Sequence, residues 1–198
     1  MKNFILGYLI LLAYTLNALD MPHDRYTGLT LAGDILSTGL PVSAIGLSLM
    51  KNDSILVKQT VTGSVLLLYS TDVLKKTFNA TSLGRRPNGF PESFPSGHSS
   101  AAFYGAIALH RVAGLELAVP AYGLAFITGY SRVEGHYHHW RDVAAGAMLA
   151  LAVDRLSLYA TEYSSSQLIS KQSFNLNYID SKDRLNNSYK GLRLTYSF

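Results

Sequence analysis

The spacing of apolar residues predicts a mainly helical chain. Apolar positions recur at helical intervals in four segments: 55–78, 98–112, 115–129 and 138–160. Turn-forming residues at 39–41 and 52–54 are expected to break the helical stretch that begins near residue 29, and either Asp53 or Ser54 is suited to cap the helix that follows. A long loop rich in Gly and Pro covers 80–97. We therefore expect an all-α fold, a compact helical bundle of five to six helices.

The first residues have the pattern of an export signal. A short positive start precedes an apolar stretch over 4–16, and Ala18 offers a cleavage point. The sequence predicts a signal peptide at 1–18, with an uncleaved anchor helix as the alternative. Either interpretation predicts an exported chain, which in a bacterium is periplasmic.

The last residues have the pattern of strands. Apolar and polar residues alternate over 192–198 and less cleanly over 173–179, with Asn186 and Asn187 in the polar segment between them. This predicts a small C-terminal β hairpin in a tail at 164–198, after a helical domain at 19–163. An isolated hairpin is marginal in water and must dock on something, and peripheral membrane contact by the tail stays open.

Composition narrows the environment and the partners. Hydrophobic residues make up 48% and charged residues 15% of the 198 residues, yet the mean hydropathy is only +0.14. Beyond the N-terminus, the longest run free of charge and histidine is 35–50, shorter than the ~20 apolar residues of a membrane span. The pattern favours a soluble or membrane-surface domain. A net charge of +4 suits an anionic substrate and is too weak to indicate nucleic-acid binding. With no cysteine, the chain has no disulfides.

Three clusters of residues are suited to phosphate chemistry. They are Arg-Arg-Pro at 85–87, Pro-Ser-Gly-His at 95–98, and Ser131-Arg132 followed by His138 and Asp142. Arginine offers planar paired donors that match phosphate oxygens. A helix that begins at 95–98 would direct free backbone N–H groups and its dipole toward an oxyanion.

His138 and Asp142 form a candidate nucleophile and its orienting acid. They are four positions apart, so on one helix they lie on the same face one turn from each other. A carboxylate there can accept from Nδ1–H of the imidazole, which leaves Nε2 unprotonated and able to act as nucleophile or base. The same logic orients the histidine of hydrolytic triads.

Taken together and in this order, the clusters resemble the type 2 phosphatidic acid phosphatase family, which includes bacterial class A acid phosphatases and vanadium haloperoxidases. The family pattern has a lysine before Arg-Pro, then Pro-Ser-Gly-His, then Ser-Arg, five residues, His, three residues and Asp. One part departs from it, because the lysine and Arg86 are farther apart here than in the family. Lys75 fits the family's helix end better, Lys76 stays open, and the additional residues are expected to enlarge the loop at 79–84.

The resemblance implies roles for individual residues. His138 would attack phosphorus, Asp142 would fix its tautomer, and His98 would protonate the leaving oxygen and then activate water. The phosphate would be held by cations and by donors at a helix start: Lys75, Arg86, Ser96, Gly97 and Arg132. The resemblance implies no metal and no cofactor. The substrate would be an exported phosphomonoester or diphosphate. The apolar composition and low charge slightly favour a lipid A, prenyl or glycerophospholipid phosphate over a soluble ester.

Three other interpretations stay open at this point. The family shares its site with vanadium-dependent haloperoxidases, so halide oxidation on the same residues is one. A non-catalytic envelope protein, with the tail bound to a membrane or partner, is another. His136, His138 and His139 could instead bind a metal together with Glu134 and Asp142.

Overall fold

The computed structural model describes residues 27–171, 175–182 and 188–195, with side chains over 27–163 and at Lys190. The predicted signal peptide and the polar positions Asn186 and Asn187 lie outside the described residues. The helices are α1 (Gly28–Met50), α2 (Ser54–Phe78), a 3-10 turn (Ser82–Gly84), α3 (Gly97–Ala113), α4 (Leu115–Glu134) and α5 (Trp140–Lys171). Two strands follow, β1 (Asn175–Lys182) and β2 (Ser188–Thr195). The described chain is predominantly helical, as predicted.

The described residues divide into two compact units, with the boundary between Tyr159 and Ala160. In the second unit β1 and β2 pair antiparallel, with Leu176 opposite Leu194 and Tyr178 opposite Leu192. The domain boundary after residue 163 and the docking of the tail stay predictions.

Side-chain caps fix where the first two helices begin. Thr27 and Thr30 form a capping box at the start of α1, each hydroxyl accepting the other's backbone N–H. At the start of α2, Asp53 Oδ1 accepts from the N–H groups of Ile55 and Leu56. Of the two capping candidates in the sequence, Asp53 is therefore the N-cap.

The predicted break at 39–41 is wrong, because α1 continues through Pro41. Pro41 is buried against α3 at Gly105, where an added Cβ would lie only 2.5 Å from the Pro41 nitrogen. The missing side chain of Gly105 gives the ring a place between the helices, so packing offsets the hydrogen bond that proline removes.

Two other predicted helix boundaries are also wrong. In both places, polar residues that lie within a helix have the sequence pattern of a loop. Helix α4 extends past residue 129 to Glu134, because Ser131 and Arg132 are buried and face the interior instead of marking a loop. Helix α5 begins at Trp140 and not at 138, and it continues beyond the serines at 164–166.

Helix α3 lies at the centre of the bundle. Its alanines Ala102, Ala106 and Ala108 are fully buried and pack with α1 and α4. On another side, Tyr104 packs with Leu67 of α2 and with Val153 of α5. Small side chains let the helix backbones approach closely. Because the neighbouring helices pack closely against α3, their ends lie around its N-terminus.

Within the described residues, two helices are long and apolar enough to cross a membrane by length and composition: Gly28–Met50 and Trp140–Tyr163. Asp34 is the charged residue that interrupts the first of them in the sequence. It is 6% exposed and points into the bundle, so its charge does not face the surroundings of α1. The sequence argument against a span at α1 therefore loses its basis.

Candidate active site

The predicted site residues gather at one end of the bundle. The C-terminal ends of α2 and α4 and the N-terminal ends of α3 and α5 meet there, joined by the loop over 79–96. Backbone contact ties this end together, because Ser96 N–H donates to the carbonyl of Asp142 at 3.0 Å. Residues far apart in the sequence thus contribute to a single region.

Lys75 and Arg86 converge on one backbone carbonyl. Lys75 Nζ donates to the oxygen of Glu92 at 2.5 Å, and Arg86 Nη2 donates to the same oxygen at 3.4 Å. The loop folds back to allow this, since Arg86 N–H donates to the carbonyl of Phe90 and Ser93 N–H to that of Gly84. The additional residues before Arg86 form a turn and the 3-10 helix, so the larger spacing still brings both cations together.

Lys76 points elsewhere. Its ammonium group is exposed and pairs with Asp72 Oδ2 at 2.7 Å, one helical turn back on α2. The aliphatic stem of Lys75, in contrast, lies 3.9 Å from the position of a Cβ added to Gly97 at the start of α3. The geometry favours Lys75 over Lys76 as the lysine of the site.

The start of α3 is closed by a serine cap and leaves backbone N–H groups at its end. Ser96 is the fully buried N-cap, and its hydroxyl contacts Ser99 Oγ at 2.9 Å. The hydroxyl is therefore engaged as a cap, while the N–H groups of the first turn, from Gly97 onward, have no carbonyl one turn earlier in the helix. Gly146 of α5 makes room here, since a Cβ on it would lie 2.8 Å from the carbonyl of Ser96.

His138 lies in the loop before α5, so the predicted pairing on one helix face is wrong in its detail. The N–H groups of Tyr137 and His138 both donate to the carbonyl of Arg132, and these two hydrogen bonds hold the loop in place. His138 Nδ1 is nevertheless 3.7 Å from Asp142 Oδ2, which is ion-pair distance and longer than a hydrogen bond. Both side chains are almost completely buried.

Asp142 is held in place by other donors. Its Oδ2 accepts from Ser93 Oγ at 2.6 Å and from the backbone N–H of His139 at 2.9 Å. Ser93 lies in the loop and His139 just before α5, so the carboxylate connects two segments of the site. A charged acceptor with two such donors is a strong anchor.

Arg132 and His98 share a carboxylate that the sequence analysis did not identify. Asp34 Oδ1 lies 2.6 Å from Arg132 Nη1 and 3.1 Å from His98 Nε2. Asp34 is in α1, outside every motif. Its one sequence signal was a lone acidic residue in an otherwise apolar helical stretch, which is costly unless the charge is paired inside.

Comparison with known proteins identifies the family of this chain. The model of the PAP2 superfamily matches residues 57–166, more than half of the chain, and this range holds all three sequence clusters. The chain belongs to the PAP2 superfamily. The predicted family resemblance is confirmed, whereas Asp34 lies outside the matched range.

Several plant proteins are similar to this PAP2 chain over part of its length. Lipid phosphate phosphatase 2 of Arabidopsis thaliana is 31% identical over 115 residues, which are 51% of this chain and 35% of the relative. Lipid phosphate phosphatase 1 of the same plant is 37% identical over 76 residues, 31% of this chain and 23% of the relative. The chain thus spans about a third or less of the length of these curated relatives.

Two solved structures are also similar. Aquifex aeolicus LpxE has 24% identity and a TM-score of 0.49, covering 69% of this chain and 88% of its own. The first transmembrane PAP2 type phosphatidylglycerolphosphate phosphatase from Bacillus subtilis has 18% identity and a TM-score of 0.39, covering 85% of this chain and 98% of its own.

Burial and the neighbouring cations shift the proton affinities of this PAP2 site. Burial, followed by the charges of Lys75 and Arg86, lowers the pKa of His138 to about 3, so its imidazole is neutral at ordinary pH. Burial also lowers the pKa of His98, against the opposing effect of its hydrogen bond to Asp34. The pKa of Lys75 falls to about 8, through burial first and then the charge of Arg86.

The proposed metal cluster does not assemble in the part of the chain that the structure describes. Over those residues, no three His, Cys, Asp or Glu side chains lie close enough to hold a metal ion. His136 is exposed and its Nδ1 lies 2.9 Å from the carbonyl oxygen of Glu134, while His139 contacts Asp142 instead.

Proposed function

We propose that this protein is a lipid phosphate phosphatase that transfers the phosphoryl group to His138 and then to water. The observation that carries the proposal is the meeting of Lys75 and Arg86 at one carbonyl, next to a buried neutral histidine. Cations that neutralise a phosphate beside a neutral imidazole provide the electrostatic stabilisation and the nucleophile that phosphoryl transfer requires. The names of the plant relatives support a lipid phosphate as the substrate.

In the first step, His138 Nε2 attacks phosphorus while the bond to the leaving oxygen breaks. Asp142 supports the positive charge that develops on the ring, through Nδ1. Lys75, Arg86 and Arg132 hold the phosphate oxygens, together with the first-turn N–H groups of α3. His98 gives a proton to the leaving oxygen.

In the second step, water attacks the phosphohistidine and restores the free enzyme. His98 takes a proton from the water as the new P–O bond forms and the P–N bond breaks. The released phosphate carries the oxygen of the water, and His138 returns to its neutral form. No metal is required by this scheme, because the cations of the chain neutralise the phosphate, and full activity in the presence of EDTA tests that point.

Apolar side chains on the outer faces of α4 and α5 support a membrane-associated enzyme. Large apolar residues are exposed there, although both helices also bury apolar residues in the core. On α4, exposure reaches 69% at Val119 and 57% at Phe126, and on α5 it is 67% at Met148 and at Tyr159. A lipid substrate would reach the site from the bilayer that covers these faces. We further propose that the chain is exported and that the site faces the periplasm.

A phosphate-release assay on the purified full chain tests the proposal. Phosphatidate, phosphatidylglycerol phosphate, undecaprenyl diphosphate and lipid A in detergent micelles are compared with soluble phosphate esters. We expect hydrolysis of at least one lipid, inhibition by orthovanadate, and acid-labile radiolabel that is absent in His138→Ala. His136→Ala is the matched control, because that histidine is exposed.

Other results would point to the alternatives. Halide oxidation by the vanadate-loaded chain, without phosphate release, would indicate a haloperoxidase. A His138→Ala variant that keeps the complete cellular effect of the wild type would indicate a non-catalytic envelope protein. Either result contradicts the phosphatase proposal.

A further inference from the structure

Asp34 is a buried carboxylate that the proposed mechanism does not yet use. It lies in the second turn of α1, outside the residues that match the PAP2 superfamily, and its side chain is 6% exposed. A carboxylate in such a position is costly unless charged or polar partners surround it. Its partners are two residues to which the mechanism gives roles, His98 and Arg132.

The contact with His98 determines which ring nitrogen is available for proton transfer. An ionised carboxylate can only accept hydrogen bonds. The ring nitrogen that lies 3.1 Å from Asp34 Oδ1, Nε2, therefore carries a hydrogen and donates a hydrogen bond to that oxygen. In the neutral ring the proton therefore sits on Nε2. Nδ1 is then the nitrogen that can exchange a proton with the leaving oxygen or with water.

Helix α1 is shaped to bring Asp34 to this place. The preceding residue is Gly33, and a Cβ there would overlap Ser131 Oγ and lie 2.7 Å from Arg132 Nη2. The absence of that side chain lets α1 lie directly against the end of α4. The carbonyl of Thr30, one turn before Asp34, also accepts from Arg132 Nη2. One turn of α1 thus offers two acceptors to the same guanidinium group.

We propose that Asp34 is a positioning residue for phosphoryl transfer, which acts through His98 by fixing its tautomer and through Arg132 by fixing its guanidinium. This inference rests on the proposed function. In the first step, Nδ1–H of the protonated His98 goes to the leaving oxygen as the P–O bond breaks. In the second step, Nδ1 takes a proton from water as the water oxygen bonds to phosphorus and the P–N bond breaks. In both steps, Asp34 accepts the hydrogen bond from Nε2–H of His98.

Asp34→Asn tests this role with little change in shape. Oδ1 contacts both Arg132 and His98, so a single amide atom takes its place against both of them. As the amide oxygen it accepts from both, but without the negative charge that supports a protonated ring. As the NH2 it would donate to Nε2 and move the imidazole proton to Nδ1. With a radiolabelled aryl phosphate, whose leaving group needs little protonation, we expect phosphohistidine to form at nearly the wild-type rate. Its hydrolysis would slow on the order of 10²-fold, since a similar exchange in a hydrolytic triad costs that much or more. Labelled His138 would therefore accumulate.

Asp154→Asn is the matched control. Asp154 is a buried carboxylate paired with Arg111, like Asp34 with Arg132, but Arg111 lies at the other end of α3 from His98. Both variants are expected to lower the unfolding temperature, because each leaves an arginine without its charged partner. The control should not accumulate label. Accumulation in both variants, or in neither, would overturn the role of Asp34.

A double-mutant cycle keeps the test informative if Asp34→Asn is poorly folded. If Asp34 acts through His98, then Asp34→Asn should slow hydrolysis of the phosphohistidine less than about threefold in a His98→Ala background. If the two substitutions instead slow hydrolysis by factors that multiply in the double variant, the residues act independently and the proposal is contradicted. Absence of label and of phosphate release in the wild type would instead contradict the proposed function itself, whatever Asp34 does.

Discussion

The candidate site contains two histidine–carboxylate pairs, which differ in contact distance and in the elements they come from. His98 and Asp34 come from α3 and α1 and are in hydrogen-bond contact at 3.1 Å. His138 and Asp142 come from one short segment and are 3.7 Å apart. The first pair also holds Arg132, whereas the second is anchored by Ser93 and a backbone N–H. In the proposed mechanism, the histidine that transfers protons is thus held by a hydrogen bond, whereas the nucleophile has only a longer ion-pair contact with its carboxylate.

The largest expected effect separates the two histidines by leaving group. His138→Ala removes the nucleophile, so kcat should fall by about 10⁴-fold or more for every substrate, a loss typical of removing a nucleophile. His98→Ala removes the acid of the first step and the base of the second. Formation of phosphohistidine should then slow greatly with lipid and alkyl phosphates and little with aryl phosphates, whose oxygen leaves without a proton, while its hydrolysis slows equally for both. Rapid-quench measurement of label formation on both substrate classes measures this difference. Equal slowing of label formation for the two classes in His98→Ala would contradict the assignment of the acid.

The two pairs also differ in what a sequence can reveal. His138 and Asp142 are close in the chain, and their spacing predicted the contact even though His138 is not in the helix. Asp34 is 98 positions before Arg132, and no local pattern connects them. The predicted C-terminal end of α4 was wrong for a related reason, because buried polar residues resemble loop residues in a sequence. Tertiary contacts decide all these cases, and the local sequence pattern does not reveal which residues will meet.

Asp142→Asn is expected to have the next largest effect. The amide cannot stabilise the imidazolium as a carboxylate does, so kcat should fall on the order of 10²-fold or more. Label on His138 should decline, because its formation is the step affected. This contrasts with Asp34→Asn, in which label should accumulate. Quench-flow measurement of phosphohistidine distinguishes the two carboxylates, and identical label kinetics in both variants would show that the pairs do not have separate tasks.

The lysine near the nucleophile gives a smaller effect that depends on pH. The pKa of Lys75 is lowered to about 8, so its ammonium group is charged below that pH and neutral above it. As pH rises through about 8, attraction for the phosphate dianion is lost and kcat/KM should decline. Lys75→Arg, with a guanidinium pKa above ~12, should move this decline to higher pH.

Lys76→Arg provides the control for that measurement, because Lys76 is exposed and paired with Asp72. Its profile of kcat/KM between pH 7 and 10 should match the wild type. A shift of the alkaline decline in Lys76→Arg, with none in Lys75→Arg, would reverse the assignment of the two lysines.

Removal of one hydrogen-bond donor to Asp142 should have the smallest effect on kcat. It tests the His138–Asp142 pair, which has the longer contact of the two. Ser93 Oγ donates to Asp142 Oδ2 at 2.6 Å, and a hydrogen bond to a charged group contributes about 1.5–3 kcal/mol to stability. Ser93→Ala should lower the unfolding free energy by about that amount, while kcat falls by less than about tenfold, because the backbone N–H of His139 still holds the carboxylate. Ser48→Ala, which removes a buried hydroxyl that donates only within α1, should leave kcat unchanged. If Ser93→Ala instead costs as much activity as Asp142→Asn, the carboxylate depends on the loop rather than on α5 for its position. The nucleophile would then be as tightly fixed as His98.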